Sequence, residues 1–254
     1  MPLPTDPQST TASLQFCVLL EKLIGVHTDA AEKFSAGLMS KHKGLSGVRD
    51  VEVRRLLDRF ACPIPFHAVR TRFLGNIASP VMAASPLDQV RALWGGELPE
   101  FDSVDAVNEL VGALVMGLWN RLTLHQDRKH PFRVIRFEVP ETREGLQHLA
   151  RVRREEVDGF VEGLFGAAES IDLPEKAHRA LNILSDLRAI LEGVRSVASD
   201  ENKPATAADL AGTLRHLREL SRIVEDEMHA VMLSCTRARR NMIPGVRSVK
   251  PTLH

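Results

Sequence analysis

Apolar residues recur at spacings of three and four along most of the chain, the period of helices that bury one face. Pro, Gly and short polar runs interrupt the pattern, so the helices are expected to be short and numerous in the first two thirds. The pattern predicts two N-terminal helices within residues 1–48, carried by Leu14 to Leu23 and by residues 29–42. Further helices are predicted over residues 49–61, 66–78, 86–94, 103–124, 141–154 and 155–167.

The predicted helix over residues 103–124 differs from the others because its middle has no polar face. Residues 110–119 read Leu-Val-Gly-Ala-Leu-Val-Met-Gly-Leu-Trp. A helix that is apolar all round belongs inside a helical protein, and Asp102 or Ser103 is a good N-cap for it. We therefore predict that residues 104–122 form the most buried element. Trp94 and Trp119 are predicted to be structural, because a buried indole ring can still find a partner for its N–H.

The last third of the chain has a more regular pattern. After Pro174 apolar residues alternate spacings of four and three from Ala180 to Val194, and again from Leu210 to Cys235. Such spacing is typical of a coiled-coil seam, and Thr206 with Asp209 resembles a capping box. The prediction is an antiparallel hairpin over residues 174–240, whose second helix of about 30 residues would be about 45 Å long. Its far end needs a cover, either the N-terminal helices or a second subunit.

These elements predict an all-α fold, a multi-helix bundle with a C-terminal antiparallel helical hairpin. We divide the chain into N-terminal helices (1–48), a helical core (49–197), the hairpin (174–240, sharing its first helix with the core) and a disordered basic tail (241–254). Residues 125–140, called the connector below, are predicted to be a loop. Arg133 to Val139 alternates polar and apolar residues, but one isolated strand forms no sheet.

Composition excludes several classes of function. The 33 basic residues balance the 33 acidic ones and Tyr is absent, so neither bulk polyanion binding nor stacking of single-stranded bases is indicated. The three Cys residues are far apart, which fits a reducing cytoplasm better than a disulfide framework. The N-terminus lacks a signal-type apolar region, and the longest apolar run is about half of a membrane span. A cytoplasmic protein without a membrane segment is expected.

Three segments resemble the YecA/YgfB-like family of bacterial proteins in order and spacing. They are Phe73 to Pro80, Leu93 to Phe101 with the apolar helix that follows it, and Glu156 to Leu164. The motif positions are Trp94, Gly95, Pro99, Phe101, Trp119, Asn120, Gly159, Phe160 and Gly163. The resemblance covers about residues 50–195. The chain lacks the aspartate that usually precedes the family's first glycine, and it lacks the zinc extension of some members. The resemblance implies an all-helical fold, no established catalytic residues, and roles in protein interaction or regulation.

The chain carries no GxSxG, P-loop or GxGxxG motif. No catalytic residue, cofactor or metal site is therefore predicted. Asp226-x-x-His229 is a weak likeness to a metal-binding helix, and His216 lies about 20 Å from His229 along the same helix. Gly159 and Gly163 share one helix face and are predicted to allow a close helix neighbour.

Basic residues cluster in the connector and in the tail. His125, Asp127 and His130 lie beside Arg128 and Lys129, which would repel a metal ion, so an anion or an acidic partner is the better ligand; a solvated loop is the alternative. The tail from Arg237 to His254 has five cations and no acid. The candidate anion- or partner-binding residues are Arg128, Lys129, His130, Arg133, Arg136, Arg237, Arg239 and Arg240.

The functional prediction is a non-enzymatic bacterial interaction or regulatory protein that binds an unidentified protein. Homodimerisation through the hairpin is one form that this interaction could take. The alternative is a nucleic-acid- or ribosome-associated factor that uses the connector (128–136) and the tail (237–254). An enzyme whose site is hidden in the sequence is a third hypothesis.

Overall fold

A computed structural model describes residues 49–80, 85–202 and 204–242, and every regular element in these ranges is helical. The predicted N-terminal helices and the tail beyond residue 242 lie outside the described residues. The described residues belong to one compact unit that begins at Arg49. The α-helices are α1 (Asp50–Arg59), α2 (Phe66–Ala78), α3 (Pro86–Ala92), α4 (Val104–Val111), α5 (Asn120–Leu122), α6 (Arg143–Phe165), α7 (Glu175–Ser199) and α8 (Ala207–Met242).

Between α4 and α5 the chain forms a π-helix, Gly112–Trp119, and after α5 a 3₁₀ helix, Thr123–Gln126. Ser103 caps α4, and its hydroxyl accepts from the Ala106 N–H at 3.2 Å. Within residues 110–119 every residue is buried except Met116, which is partly exposed. The sequence did not predict the π-helix. An apolar composition fits an α-helix, with hydrogen bonds between residues four apart, as well as a π-helix, with hydrogen bonds between residues five apart.

The prediction that residues 104–122 are the most buried element is wrong for the helix as a whole. Its first turn faces solvent, where Val104 is 56% exposed. Helix α2 is buried more completely, since none of its residues is exposed. The reason is that α2 lies between other helices, packing against α6 and α8 and against the elements around the π-helix.

The contact between α2 and α6 is the most extensive helix pair of the described chain. Three glycines bring the two backbones together, as expected from Gly159 and Gly163. A Cβ on Gly163 would overlap the Arg72 carbonyl oxygen, and one on Gly75 would overlap the Phe160 carbonyl oxygen. A Cβ on Gly159 would lie 2.7 Å from the Ala68 carbonyl oxygen. No side chain larger than hydrogen fits this crossing without moving one helix.

Helix α6 was predicted as two helices but is a single one of 23 residues. The predicted break fell among Arg153 to Glu156, where there is neither Gly nor Pro. Arg and Glu are good helix formers, and opposite charges three or four apart stabilise the helix. Arg153 with Glu156 and Arg154 with Asp158 are such pairs.

The C-terminal hairpin is present, and α8 is longer than expected, with 36 residues or about 54 Å. The Thr206 and Asp209 side chains each accept from the other's backbone N–H, at 3.2 and 2.9 Å, as in a capping box. Seam residues Leu191, Leu214 and Leu217 are buried, and α6 supplies Leu146, Leu149 and Ala150 to the same apolar cluster. The hairpin is therefore continuous with the core.

The far end of α8 is buried at Met228, Val231 and Cys235. Helix α2 and the 3₁₀ helix pack against α8, and the Arg239 guanidinium donates to the Ser79 carbonyl oxygen at 3.1 Å. Core elements thus contribute to the cover, for which the sequence predicted either the N-terminal helices, which lie outside the described residues, or a second subunit.

Trp119 is buried and Trp94 is partly buried, and both make contacts within the bundle. The Trp94 N–H donates to the Phe60 carbonyl oxygen at 2.8 Å, and the Trp119 ring meets Phe73 edge-on at 5.4 Å. Within the described ranges, we find no helix with the length and apolar character needed to cross a membrane.

Candidate functional site

The middle of the connector has no regular secondary structure and is held by side chains of α6 and α8. Glu225 of α8 accepts from the Val134 N–H at 3.1 Å, and Glu156 of α6 accepts from the Ile135 N–H at 3.1 Å. Arg153 donates to the Ile135 carbonyl oxygen at 2.6 Å. Charged side chains thus satisfy backbone groups that have no partner in a helix or a sheet.

The three charged residues that hold the connector are almost completely buried. Arg153 is 4% exposed, Glu156 is fully buried and Glu225 is 2% exposed. Arg153 forms an ion pair with Glu156 and donates to the Ser221 hydroxyl at 2.9 Å. Burial raises the pKa of the Glu156 carboxyl, and the Arg153 guanidinium opposes that shift. Together they form a structural network that fixes the connector onto the bundle.

Two predicted anion-binding residues belong to this network. Arg133 and Arg136 both form ion pairs with the buried Glu225 carboxylate, at 3.3 Å each. This one carboxylate offsets part of their positive charge, and both side chains remain more than half exposed. We assign them to the support of the connector.

The turn that begins the connector brings His125, Asp127 and His130 together. The Asp127 carboxylate accepts from the Lys129 N–H at 3.0 Å, and His125 Nδ1 lies 2.8 Å from the His130 carbonyl oxygen. These contacts close a local turn. Across the described part of the chain, no group of three or more His, Cys, Asp or Glu residues has a geometry that could hold a metal ion.

The structure places the exposed start of the connector near the end of α8. Arg239 Nη2 lies 3.4 Å from the Gln126 side-chain oxygen. The hydrogen bond from the Lys129 N–H is the main cause that lowers the pKa of Asp127, and the charges of His130, Lys129 and Arg240 lower it further. Arg128, Lys129 and His130 are exposed, as are Arg237 and Arg240. Two basic regions that are distant in sequence thus lie side by side, while Arg239 is engaged by backbone and side-chain oxygens.

A second cationic cluster surrounds the Phe132 ring, which is fully buried. The Arg70 guanidinium of α2 lies 5.2 Å from the ring centroid, and His125 meets the ring edge-on at 5.3 Å. Arg70 also donates to the Arg133 carbonyl oxygen at 3.4 Å. Burial lowers the pKa of both Arg70 and His125. The folded protein thus holds the Arg70 guanidinium and the His125 imidazole against one aromatic ring.

His229 of α8 is a further buried histidine. It is 9% exposed, and its buried Nε2 has no hydrogen-bond partner among the described residues. Sequence analysis did not select Arg70, because only the packing of α2 against the connector brings it to Phe132 and Arg133.

An open groove of about 540 Å³ lies between the second half of α6 and the first half of α7. Val161, Phe165 and Leu181 give it an apolar floor, and the ion pair between Asp158 and Arg188 crosses it. Its lining also includes polar side chains, namely Glu162, Glu169, Ser170, His178 and Ser185.

No family model, curated protein or solved structure matches the chain. A function must therefore be argued from the geometry. The described surface offers basic residues beside the end of α8 and exposed aliphatic side chains on the hairpin. Surfaces of this kind are typical of ligand or partner binding.

Proposed function

We propose that this chain is a non-enzymatic interaction and regulatory protein of the bacterial cytoplasm, and that it pairs through the outer face of its C-terminal hairpin. The observation that carries the proposal is a row of exposed aliphatic residues on α7. Ile183, Ile190 and Val197 are 39%, 47% and 50% exposed and lie seven residues apart, on one face of the helix. Ile223 on the packed neighbour α8 is 41% exposed. Such a row on a charged helix is typical of a helix-pairing surface.

The partner that fits this row best is a second copy of the chain. In an antiparallel pairing centred on Ile190, Ile183 of one copy lies opposite Val197 of the other, so the apolar row is complementary to itself. Gly193 has open space where a Cβ would be, which allows the two helices to approach closely. A two-fold hairpin dimer would thus bury this apolar row.

We expect full-length protein to sediment as a dimer at micromolar concentration, and Ile190→Glu to convert it to a folded monomer. The new carboxylate would be buried without a partner, which should weaken association by about a hundredfold or more. Analytical ultracentrifugation measures the mass, and circular dichroism checks that the helices remain. Val51→Glu is the matched control, because Val51 is 72% exposed and lies on α1. The dimer is refuted if the wild-type protein stays monomeric at about 100 µM, a concentration at which even a weak dimer forms.

The family resemblance and the cytoplasmic localisation are part of this proposal. What supports the resemblance is that two of its segments are in contact, since Gly75 of the first lies against Phe160 of the third. What supports a reducing compartment is that Cys62 and Cys235 are free thiols. The resemblance implies interaction or regulation, which agrees with the pairing surface.

The alternative function is binding of RNA or DNA, including a ribosome-associated role. The observation that favours it is the meeting of exposed Arg128, Lys129 and His130 with the end of α8 near Arg240. The opposing observation is that Arg133 and Arg136 are paired with Glu225. This leaves a small basic surface on a chain without net charge.

The alternative predicts that RNA or DNA binding weakens steeply with salt and depends on this surface. Binding of a labelled 20-nucleotide RNA and of the matching DNA duplex would be measured by fluorescence anisotropy at about 50 and 200 mM salt. A protein that makes several phosphate contacts loses orders of magnitude in affinity over this range. The double variant Lys129→Glu with Arg240→Glu should not bind. The control is Arg215→Glu, which changes an exposed residue in the first half of α8 and should bind as the wild type does. Salt-independent or absent binding favours the protein-interaction proposal.

A further inference from the structure

We propose that the groove between α6 and α7 binds a short amphipathic helix of another protein, in which apolar side chains are flanked by Lys or Arg. The groove is distinct from the aliphatic row on the outer side of α7. Leu181 lines the groove, and Ile183 of the row lies two residues later, which is about 200° around the helix. The two surfaces therefore lie on different sides of α7, and the proposal does not depend on dimerisation.

The size of the groove fits two turns of a helix. It follows α6 over residues 157–165, a length of about 12 Å, and has a volume of about 540 Å³. The apolar anchors of a helix that binds in a groove recur at positions i, i+4 and i+7, which span about 10 Å. The bound helix would lie along α6 and α7, which already pack against each other. Two helices side by side offer a third one a surface for ridges-into-grooves packing.

The apolar side chains of the groove are not fully covered by the described part of the chain. Val161, Phe165 and Leu181 form the floor, and each is partly exposed. Ile171 and Leu173 are also partly exposed and line the groove where the chain passes from α6 to α7. A contiguous apolar surface of this kind is typical of a site that binds a partner, because leaving it in water costs free energy.

The charges of the groove favour a cationic partner. Among the described residues that line it, Arg188 is the only Lys or Arg, and it is paired with Asp158. Residues 166–174, called the linker below, join α6 to α7 and contain no basic residue. The linker carries two exposed acids, Glu169 and Asp172, and Glu169 lines the groove. A Lys or Arg beside the apolar anchors of the partner would lie near Glu169 and complement its charge.

The test uses the full chain and a fluorescently labelled peptide of about 12 residues, called the Lys peptide, with Leu at positions i, i+4 and i+7 and Lys at both ends. Fluorescence anisotropy measures its dissociation constant. A peptide with Glu in place of each Lys should bind at least about tenfold more weakly, because its charges repel Glu169 and Asp172. A peptide with Ser in place of each Leu should not bind, since it has no apolar side chains to bury.

Two variants test the same contacts from the side of the protein. Leu181→Gln places an amide in the apolar floor and should weaken binding of the Lys peptide about tenfold. Glu169→Lys reverses the charge of an exposed linker residue and should weaken binding by a similar factor while the fold is kept. The matched control is Glu201→Lys, which changes an exposed acid in the turn between α7 and α8 and should bind as the wild type does. Circular dichroism checks that each variant is folded.

Three results would overturn the proposal. The first is that the Lys peptide does not bind, or that it binds no better than the Glu peptide. The second is that Leu181→Gln and Glu169→Lys both bind it as the wild type does. The third is that Ile190→Glu, which changes the hairpin row, loses the peptide, because the peptide would then occupy the dimer surface. Retained binding by Ile190→Glu supports the groove whether or not the hairpin dimer exists.

Discussion

Gly163→Ala is expected to destabilise the protein by about 3 kcal/mol, the upper range for overpacking a core. The added Cβ would overlap the Arg72 carbonyl oxygen of α2. Backbone cannot rotate away as a flexible side chain can, so α2 and α6 must separate. That separation opens the best-packed interface of the described chain and loosens the residues around it. Urea unfolding followed by circular dichroism would measure the loss.

Gly212→Ala provides the control for this substitution. Gly212 lies within α8 and has open space where a Cβ would be. Alanine there should stabilise the protein by about 0.5 to 1 kcal/mol, because it restricts the unfolded chain and favours the helix. Equal free energies of unfolding for the two variants would show that helix propensity, and not close packing, governs both positions.

Glu156→Gln is expected to cost about 3 to 5 kcal/mol, as for other buried ion pairs that lose one partner. The amide keeps an acceptor for the Ile135 N–H but leaves Arg153, which is 4% exposed, without a carboxylate. Arg153 also holds the Ile135 carbonyl oxygen and the Ser221 hydroxyl. The connector should therefore loosen with the loss of stability, and hydrogen exchange at the Val134 and Ile135 amides should accelerate.

Glu162→Gln is the comparison on the same helix. Glu162 pairs with Arg72 at 3.2 Å, but its side chain is 58% exposed. An exposed pair contributes at most about 1 kcal/mol. If Glu156→Gln cost no more than Glu162→Gln, the buried network would not be what holds the connector.

Sequence periodicity was sufficient for the helices and for the hairpin. Each helix buries residues that recur within its own segment, so the pattern from Ala180 to Val194 predicts α7 without knowledge of its neighbours. The two glycines of α6 indicated a close helix contact for the same local reason. The break predicted inside α6 was wrong, because the charged residues at that position pair along one continuous helix, as Arg153 and Glu156 do.

The candidate site depended on the tertiary structure. A charged residue has the same appearance in sequence whether it faces water or a buried partner, and the difference lies in contacts between distant segments. In the sequence, Arg133 and Arg136 resemble an open basic loop. In the structure, both form ion pairs with Glu225 of α8. Arg70 has no signal in the chain, because 63 positions separate it from Arg133, and only the packing of the folded chain brings it to the connector. The sequence by itself determined where the helices are, since helix formation follows local spacing. Only the tertiary structure decided which charges meet, because burial and ion pairing are properties of the packed chain.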